Sequence, residues 1–383
     1  MEQQAYRTAA LQMIALVRCA VNGTVPDFSE TGEPDPAALL AVCRSHDLTA
    51  CTAYALEAAG RSDAAFREEK EKAVRKSILL DADRRQICAR LEAERIWYLP
   101  LKGSLLKDWY PKLGMRQMSD NDILFDPAAR TRVREIMTEL GFSCSHFGSG
   151  NVDAYEKPPV SSFEMHISLY KPDEEPQFAA YFSRRTAEML LPDSDGGYGR
   201  HLSAEDFYLY FLSHAYKHYH HGGTGVRTLL DVYIFLRKFE QTLDVQYLRR
   251  ELEVLSLTEY ERETRALAQT VFSGKEPDAA QQRLLDYYIF SGTYGTVSHE
   301  AANRLQEFEG SKARYLFRRV FPPMDWIRRN YPFFYRHKAL IPVLWVIRPI
   351  RGLFCRFPKL RAELRGLKQD GIQASPQSRH SEK

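Results

Sequence analysis

The chain has 383 residues, 44% hydrophobic and 27% charged, with aromatics at 12%. At ~100–200 residues per domain, that length gives two or three globular units with ample buried core, and the aromatic content excludes a largely disordered chain. The net charge of +3 conceals an asymmetry: residues 311–383 hold 17 Lys and Arg against 4 Asp and Glu, or +13, leaving −10 on the rest. Six scattered cysteines form no CxxC pair. They read as buried apolar residues or free thiols, not as a disulfide or zinc framework. No basic region followed by an apolar run opens the chain, so no signal peptide is expected. The longest apolar run, around Ala339–Ile347, is about half the length needed to cross a bilayer. The default compartment is the cytoplasm.

Residues 1–95 read as an N-terminal helical region. Asp35-Pro36 supplies an N-cap followed by proline at the first helical position. A long charged stretch from about Ser62 to Glu94 keeps Leu79, Leu80, Ile87 and Leu91 at helical spacings. Residues 96–200 change pattern and read as a catalytic domain. Ile96–Leu99 is a short β-prone run that meets Lys102-Gly103-Ser104, and Leu105–Tyr110 can form a short helix. Asp122–Phe125 is a second strand. Asp126-Pro127 caps the next helix, which ends near Leu140 with Gly141 as its stop. Phe142–Cys144 is a candidate third strand, and the alternation across Ser162–Leu169 predicts another.

Residues 201–310 read as a helical domain, opened by the capping-box-like Ser203-Ala204-Glu205-Asp206 and interrupted at Gly222-Gly223 and Gly274. Residues 311–383 form a basic segment whose frequent prolines limit any helix to a few turns. Short amphipathic helices are expected there, then a disordered tail from about Gln369. The whole is an α+β chain: a small mixed-sheet core flanked by helical regions.

Three pieces carry the chemistry. In Asp120-Asn121-Asp122, strand alternation points both carboxylates to one side and Asn121 to the other. Two such carboxylates repel unless a cation lies between them, and Mg²⁺ is the usual one in phosphate chemistry. In Glu164-Met165-His166, the same period puts Glu164 and His166 on one face. If the two strands are neighbours, Glu164 completes a carboxylate triad able to hold two metal ions. Gly103-Ser104, between a strand and a helix, offers close backbone approach, free N–H groups and a hydroxyl to a phosphate. Each piece alone is a weak signal; their order is far more specific.

With these pieces in place, residues 99–170 resemble the uncharacterised nucleotidyltransferase family of bacteria, a branch of the DNA polymerase β-like superfamily. The matching stretches are Leu101–Leu106, Tyr110-Pro111, Arg116 before Asp120, Asp120-Asn121-Asp122, Leu140-Gly141-Phe142 and Glu164-Met165-His166. The flanks are similar too, in their helical character, in His214, His218, Arg227 and Asp231, and in the basic C-terminus. Asn121 departs from the pattern, standing where the family has an apolar residue that faces the core. The resemblance implies Mg²⁺-dependent transfer of a nucleoside monophosphate from an NTP, ATP among the candidates, to an acceptor with release of pyrophosphate. It also implies that Gly103 and Ser104 hold the triphosphate, Asp120 and Asp122 both metals, and Glu164 the catalytic metal and the acceptor hydroxyl. The acceptor, whether small molecule, protein or RNA, is not specified.

Secondary candidates surround this set. Lys102 and Arg116 are potential phosphate contacts, or solvent-facing loop charges. His166 is either at the edge of the site or a hydrogen-bonded structural residue. His214 and His218 share a helical face, where a cleft or interhelical role outweighs a metal pair. Arg227 is a cleft candidate, and Asp231 can pair with it four residues on. Two further function classes stay open. One is a silent nucleotide-binding module. The other is an adaptor whose residues 311–368 meet nucleic acid, with arginines and aromatics interleaved, or an anionic membrane, with Trp345, Ile347, Ile350, Leu353 and Phe354 flanked by arginines. The membrane reading would place the protein peripherally at that surface. The plainer alternative packs these aromatics on the acidic body.

Overall fold

The computed structural model describes residues 1–293, other than 62 and 195, together with 314, 317, 318 and 320–355. The described chain divides into two compact units, one of Met1–Ala215 with Val226–Gln281 and one of Tyr216–Gly225 with the described residues from Gln282 onward.

The first unit opens with helices α1 (Gln3–Asn22), α2 (Phe28–Thr31), α3 (Pro36–Ser45), α4 (Thr49–Ala58) and α5 (Ala64–Ala93). Asp35 caps α3 by accepting from the Ala38 amide at 2.7 Å, and Asp63 caps α5 through the Ala65 and Phe66 amides. Each cap satisfies N–H groups that the first helical turn leaves unpaired. Leu80, Ile87 and Leu91 of α5 are buried as their spacing predicts, whereas Leu79 is exposed: one position before Leu80, it is turned about 100° around the helix from it.

The sheet follows. Its strands are β1 (Tyr98–Pro100), β2 (Asn121–Phe125), β3 (Ser143–His146), β4 (Val152–Lys157) and β5 (Ser161–His166), in the order β1-β2-β5-β4-β3. β2 and β5 are parallel, and the other neighbours are antiparallel. Between β1 and β2 lies the single turn α6 (Gly103–Leu106), and between β2 and β3 lies α7 (Arg130–Glu139). Gly141 ends that excursion with φ +84°, the left-handed conformation glycine adopts without a Cβ penalty.

Strand alternation gives the sheet two different faces. Ile123, Phe125, Tyr155, Phe163 and Met165 pack with Leu80, Ile87 and Leu91 of α5 and with Val133, Ile136 and Met137 of α7. Asn121 is on this side, fully buried, and its amide donates to the Leu80 carbonyl at 3.1 Å. That bond satisfies the amide nitrogen of a polar residue at a core position, while among the described residues its Oδ1 finds no partner. Asp122, Leu124, Glu164 and His166 fall on the opposite face.

β4 is the strand that the hydropathy pattern does not announce. Its inward positions are Asp153 and Tyr155, and a buried aspartate breaks the apolar alternation. Arg130 of α7 resolves the burial with two hydrogen bonds to Asp153, at 2.8 and 2.6 Å, and the Gly148 amide adds another. The final strand ends at His166 rather than Leu169.

Helix α8 (Pro176–Met189) and a small hairpin, β6 (Leu191–Pro192) with β7 (Arg200–His201), lead into α9 (Ala204–His221), α10 (Val226–Phe239), α11 (Val245–Val254), α12 (Thr258–Phe272) and α13 (Ala279–Ser291). The Ser203 hydroxyl accepts from the Asp206 amide at 3.0 Å, the expected half of a capping box. Asp206 does not complete the box; it accepts from the Tyr247 hydroxyl instead.

In the second unit, α14 (Met324–Asn330), α15 (Pro332–Arg336) and α16 (Ile341–Cys355) gather Trp326, Tyr331, Phe334, Tyr335 and Trp345 around buried Ile327, Ile341 and Leu344. α16 runs for 15 residues through Pro349, longer than the proline spacing predicts. A proline removes one backbone hydrogen bond, and burial of Ile341 and Leu344 offsets that loss. The expected helical continuation over 294–310, Tyr315 and Arg319, and the tail from 369 lie outside the described residues.

Candidate metal centre on the second face of the sheet

The site begins with strand register. In the parallel β2–β5 pair, Asp122 lies opposite Glu164 and Leu124 opposite His166. Opposed residues in a sheet project from the same face, so one carboxylate from each strand converges there. His166, two residues beyond Glu164, reaches back toward them. Its Nε2 is 2.9 Å from Asp122 Oδ1 and 3.6 Å from Glu164 Oε2. Ligand atoms of Asp122, Glu164 and His166 all lie within 4.8 Å of one another, the spacing of a possible cation site. Asp122 and His166 are buried, while the Glu164 side chain is 41% exposed and gives the cluster its opening to solvent.

Charge balance around Asp122 is tight. Lys102 Nζ stands 3.1 Å from Asp122 Oδ1 and 3.3 Å from His214 Nε2. Burial alone would raise the Asp122 pKa. The Lys102 charge and the His166 hydrogen bond outweigh it and hold the carboxyl well below the usual carboxylate range. His166 runs the other way: burial lowers its pKa, but the hydrogen bonds to Asp122 and Glu164 lift it above its ordinary value. Asp120 is raised, by burial first and then by the charge of Asp122, with Glu164 adding to it. It therefore feels the pair, although its own carboxylate accepts from the Ser119 hydroxyl at 2.8 Å and it is not one of the three clustered side chains.

The Gly103-Ser104 turn has a different anatomy from the expected phosphate cradle. Ser104 is buried, and its hydroxyl donates to the Leu101 carbonyl at 2.7 Å. The side chain closes the turn and does not face outward. Arg84 of α5 fastens the same turn from behind by donating to the Ser104 carbonyl at 2.9 Å. At Gly103 a Cβ would fall 2.6 Å from Arg116 Nη1 and 3.0 Å from Met118 Cε, so the glycine makes room for Arg116. Lys102, just before it, holds φ +41°, a conformation that L-residues rarely adopt. The strain sits on the residue whose ammonium reaches Asp122.

Arg116 is likewise committed. Its Nε and Nη2 meet the two oxygens of Asp231 at 2.8 and 3.0 Å, and the Tyr110 hydroxyl donates to the same carboxylate at 2.7 Å. Arg116 is thus tied to a carboxylate, and one expectation is corrected: Asp231 pairs with Arg116 rather than Arg227. Arg227 instead reaches Asp47 at 2.9 Å and the Gln117 carbonyl at 3.3 Å. With Ala50 N–H to Gln117 Oε1 and Tyr54 to the Leu113 carbonyl, these bonds clamp the loop that delivers Asp120 and Asp122. Sequence spacing gave no hint of them, because the partners lie more than a hundred residues apart or on other helices.

Of the remaining candidates, His214 joins the cluster through Lys102. His218, one turn further along α9, is exposed and belongs to the second unit. Two buried tyrosines enter unannounced. Among the described residues the Tyr210 hydroxyl has no hydrogen-bond partner, and its pKa is raised by burial and by the charges of Asp122 and Glu164. Tyr170 shares a 2.6 Å hydrogen bond with Ser213.

The model of the uncharacterised nucleotidyltransferase family matches residues 32–273. The chain belongs to that family. No curated protein and no solved structure matches it. In this nucleotidyltransferase family member, the matched stretch takes in the sheet, the clamped loop and helices α9 to α12. Among the described residues, no helix is long and apolar enough to cross a membrane.

Proposed function

We propose that the protein transfers a nucleoside monophosphate from an NTP to an acceptor hydroxyl, releasing pyrophosphate, with a divalent cation bound at Asp122 and Glu164. The observation that carries this reading is the Asp122–Glu164 register across β2 and β5, which sets two carboxylates side by side at a solvent opening. The donor set fits a hard cation: the carboxylate oxygens of Asp122 and Glu164 suit Mg²⁺. Asp120 joins as a third carboxylate and permits a second ion. When bound, such a cation neutralises charge on the triphosphate and the attacking oxygen.

The protein's own groups have separable roles in this scheme. His166 donates to Asp122 and fixes the carboxylate's direction. Lys102 supplies positive charge to Asp122, and with a cation bound there its ammonium would be available to the triphosphate. Glu164, the exposed member, receives the proton of the acceptor hydroxyl as its oxygen bonds to the α-phosphorus and the bond to the β-phosphate breaks. Gly103 contributes through the backbone of its turn, while Ser104 holds that turn closed, its N–H and hydroxyl both donating to the Leu101 carbonyl.

The test is incubation with Mg²⁺ and each NTP radiolabelled at the α-phosphate, with extract of the source cells as acceptor. Label transferred by wild type and lost in Asp120→Ala/Asp122→Ala supports the reading; equal transfer by the variant rules this site out. A second reading, a silent nucleotide-binding module, draws on the Lys102–Asp122 pair, which already neutralises the carboxylate. Tight NTP binding without product in any extract would favour it.

A further inference from the structure

The second unit carries a surface that nucleotide chemistry does not use. Helix α16 buries Ile341 and Leu344, and Arg348 on the same side lies over the Trp326 ring at 4.3 Å. The outward positions are Val343, 46% exposed, Val346, 60%, and Ile347, 46%. They stand at i, i+3 and i+4, which places them on one face. A helix on the surface of a water-soluble domain ordinarily turns polar residues outward; this one turns aliphatic residues outward instead. Leu340 and Phe333, just ahead of it, are also exposed, and Arg336 and Lys338 between them are exposed and basic. From Trp326 to Ala362 the sequence contains no acidic residue.

We propose that this stripe docks the protein on an anionic lipid surface, with Val343, Val346 and Ile347 entering the headgroup–acyl boundary and Arg336 and Lys338 meeting lipid phosphates. Aliphatic side chains preceded by exposed Arg336 and Lys338, in a stretch of sequence without acids, match that boundary in both polarity and charge. The geometry is one of lying on the membrane: the 15 residues of α16 span about 22 Å, short of a hydrocarbon core of roughly 30 Å. Nucleic acid fits the same cations less well. Trp326, Tyr331, Phe334, Tyr335 and Trp345 are half-buried against the unit's own core; Phe317 and Phe333 stay exposed, but neither lies on α16, and what α16 exposes is aliphatic. The inference stands apart from the nucleotidyl-transfer reading and uses none of its residues.

Co-sedimentation of the full chain with vesicles tests it. Phosphatidylcholine mixed with phosphatidylglycerol should pellet the protein, phosphatidylcholine alone should not, and salt should weaken the binding. Val343→Ser/Val346→Ser/Ile347→Ser should raise the lipid concentration for half-binding by about tenfold or more. Arg336→Gln/Lys338→Gln should weaken binding to the anionic vesicles. Ile347→Trp should tighten it, which keeps the test decisive if circular dichroism shows that the triple variant has lost its fold. Protein that stays in the supernatant with both vesicles overturns the proposal. So does vesicle binding that neither the triple substitution nor Ile347→Trp changes. Binding of single-stranded RNA, unchanged by the triple substitution and without vesicle binding, would assign the surface to nucleic acid instead.

Discussion

Replacing Asp231 with alanine tests whether the Arg116 pair is part of the framework that presents Asp120 and Asp122. Asp231 is 3% exposed and accepts from Arg116 Nε, Arg116 Nη2 and the Tyr110 hydroxyl. Its loss leaves a guanidinium, itself only 10% exposed at the side chain, without a counter-charge. Stranding one member of a buried pair costs roughly 3–5 kcal/mol, against a total stability of about 5–15 kcal/mol for a typical domain. The expected result in urea denaturation is a large fall in the unfolding midpoint for Asp231→Ala. Arg116→Met should cost a similar amount. The double variant Arg116→Met/Asp231→Leu should cost less than the sum, because no orphaned charge remains. Nucleotide affinity per folded molecule should change little in the double variant. The reasoning fails if Arg116→Met leaves the midpoint in place while weakening nucleotide binding, the behaviour of an arginine that meets phosphate.

Three further outcomes are expected. Gly103→Ala should destabilise the protein by about 1–3 kcal/mol, the usual range for overpacking, because its methyl meets Arg116 and Met118; thermal unfolding checks this, and Met118→Ala should restore only part of the loss, since Arg116 stays in place. Iodoacetamide near neutral pH should modify Cys144 and Cys19 well before Cys43 and Cys88, whose thiols burial pushes up to about 12; mass spectrometry of the peptides reads the order. For His166, burial opposes protonation but the Asp122 and Glu164 hydrogen bonds prevail and raise the pKa. A raised pKa stabilises the fold fully below the unfolded value of about 6.5, and the contribution disappears as pH climbs through the folded value. Metal-free protein should therefore lose more stability than His166→Gln on going from about pH 6 to about pH 9; parallel loss in the two proteins would contradict the assignment.

Local pattern made much of this chain legible. The cap at Asp35, the stripe through Leu80, Ile87 and Leu91, the stop at Gly141 and the strand at Asp122–Phe125 depend on residues within a turn or two of each other. The period of a strand sufficed to separate Asp122 from Asn121 and to align Glu164 with His166. β4 was hidden because its inward aspartate is satisfied by an arginine on another element. The order of motifs also pointed to the family that the match over residues 32–273 shows.

Partner choice is what required the tertiary structure. A sequence lists Arg116, Arg227, Lys102 and Ser104 as polar groups near a turn, and an open hydrogen-bond donor looks the same there as a committed one. Folding commits Arg116 to Asp231, Arg227 to Asp47, Ser104 to the Leu101 carbonyl and Lys102 to Asp122. It also settles which aromatics of the basic segment turn inward and leaves Val343, Val346 and Ile347 outside. The physical reason is range. Capping and side-chain alternation act between residues near in the chain, whereas burying a charge or a ring requires a partner from wherever the fold brings one.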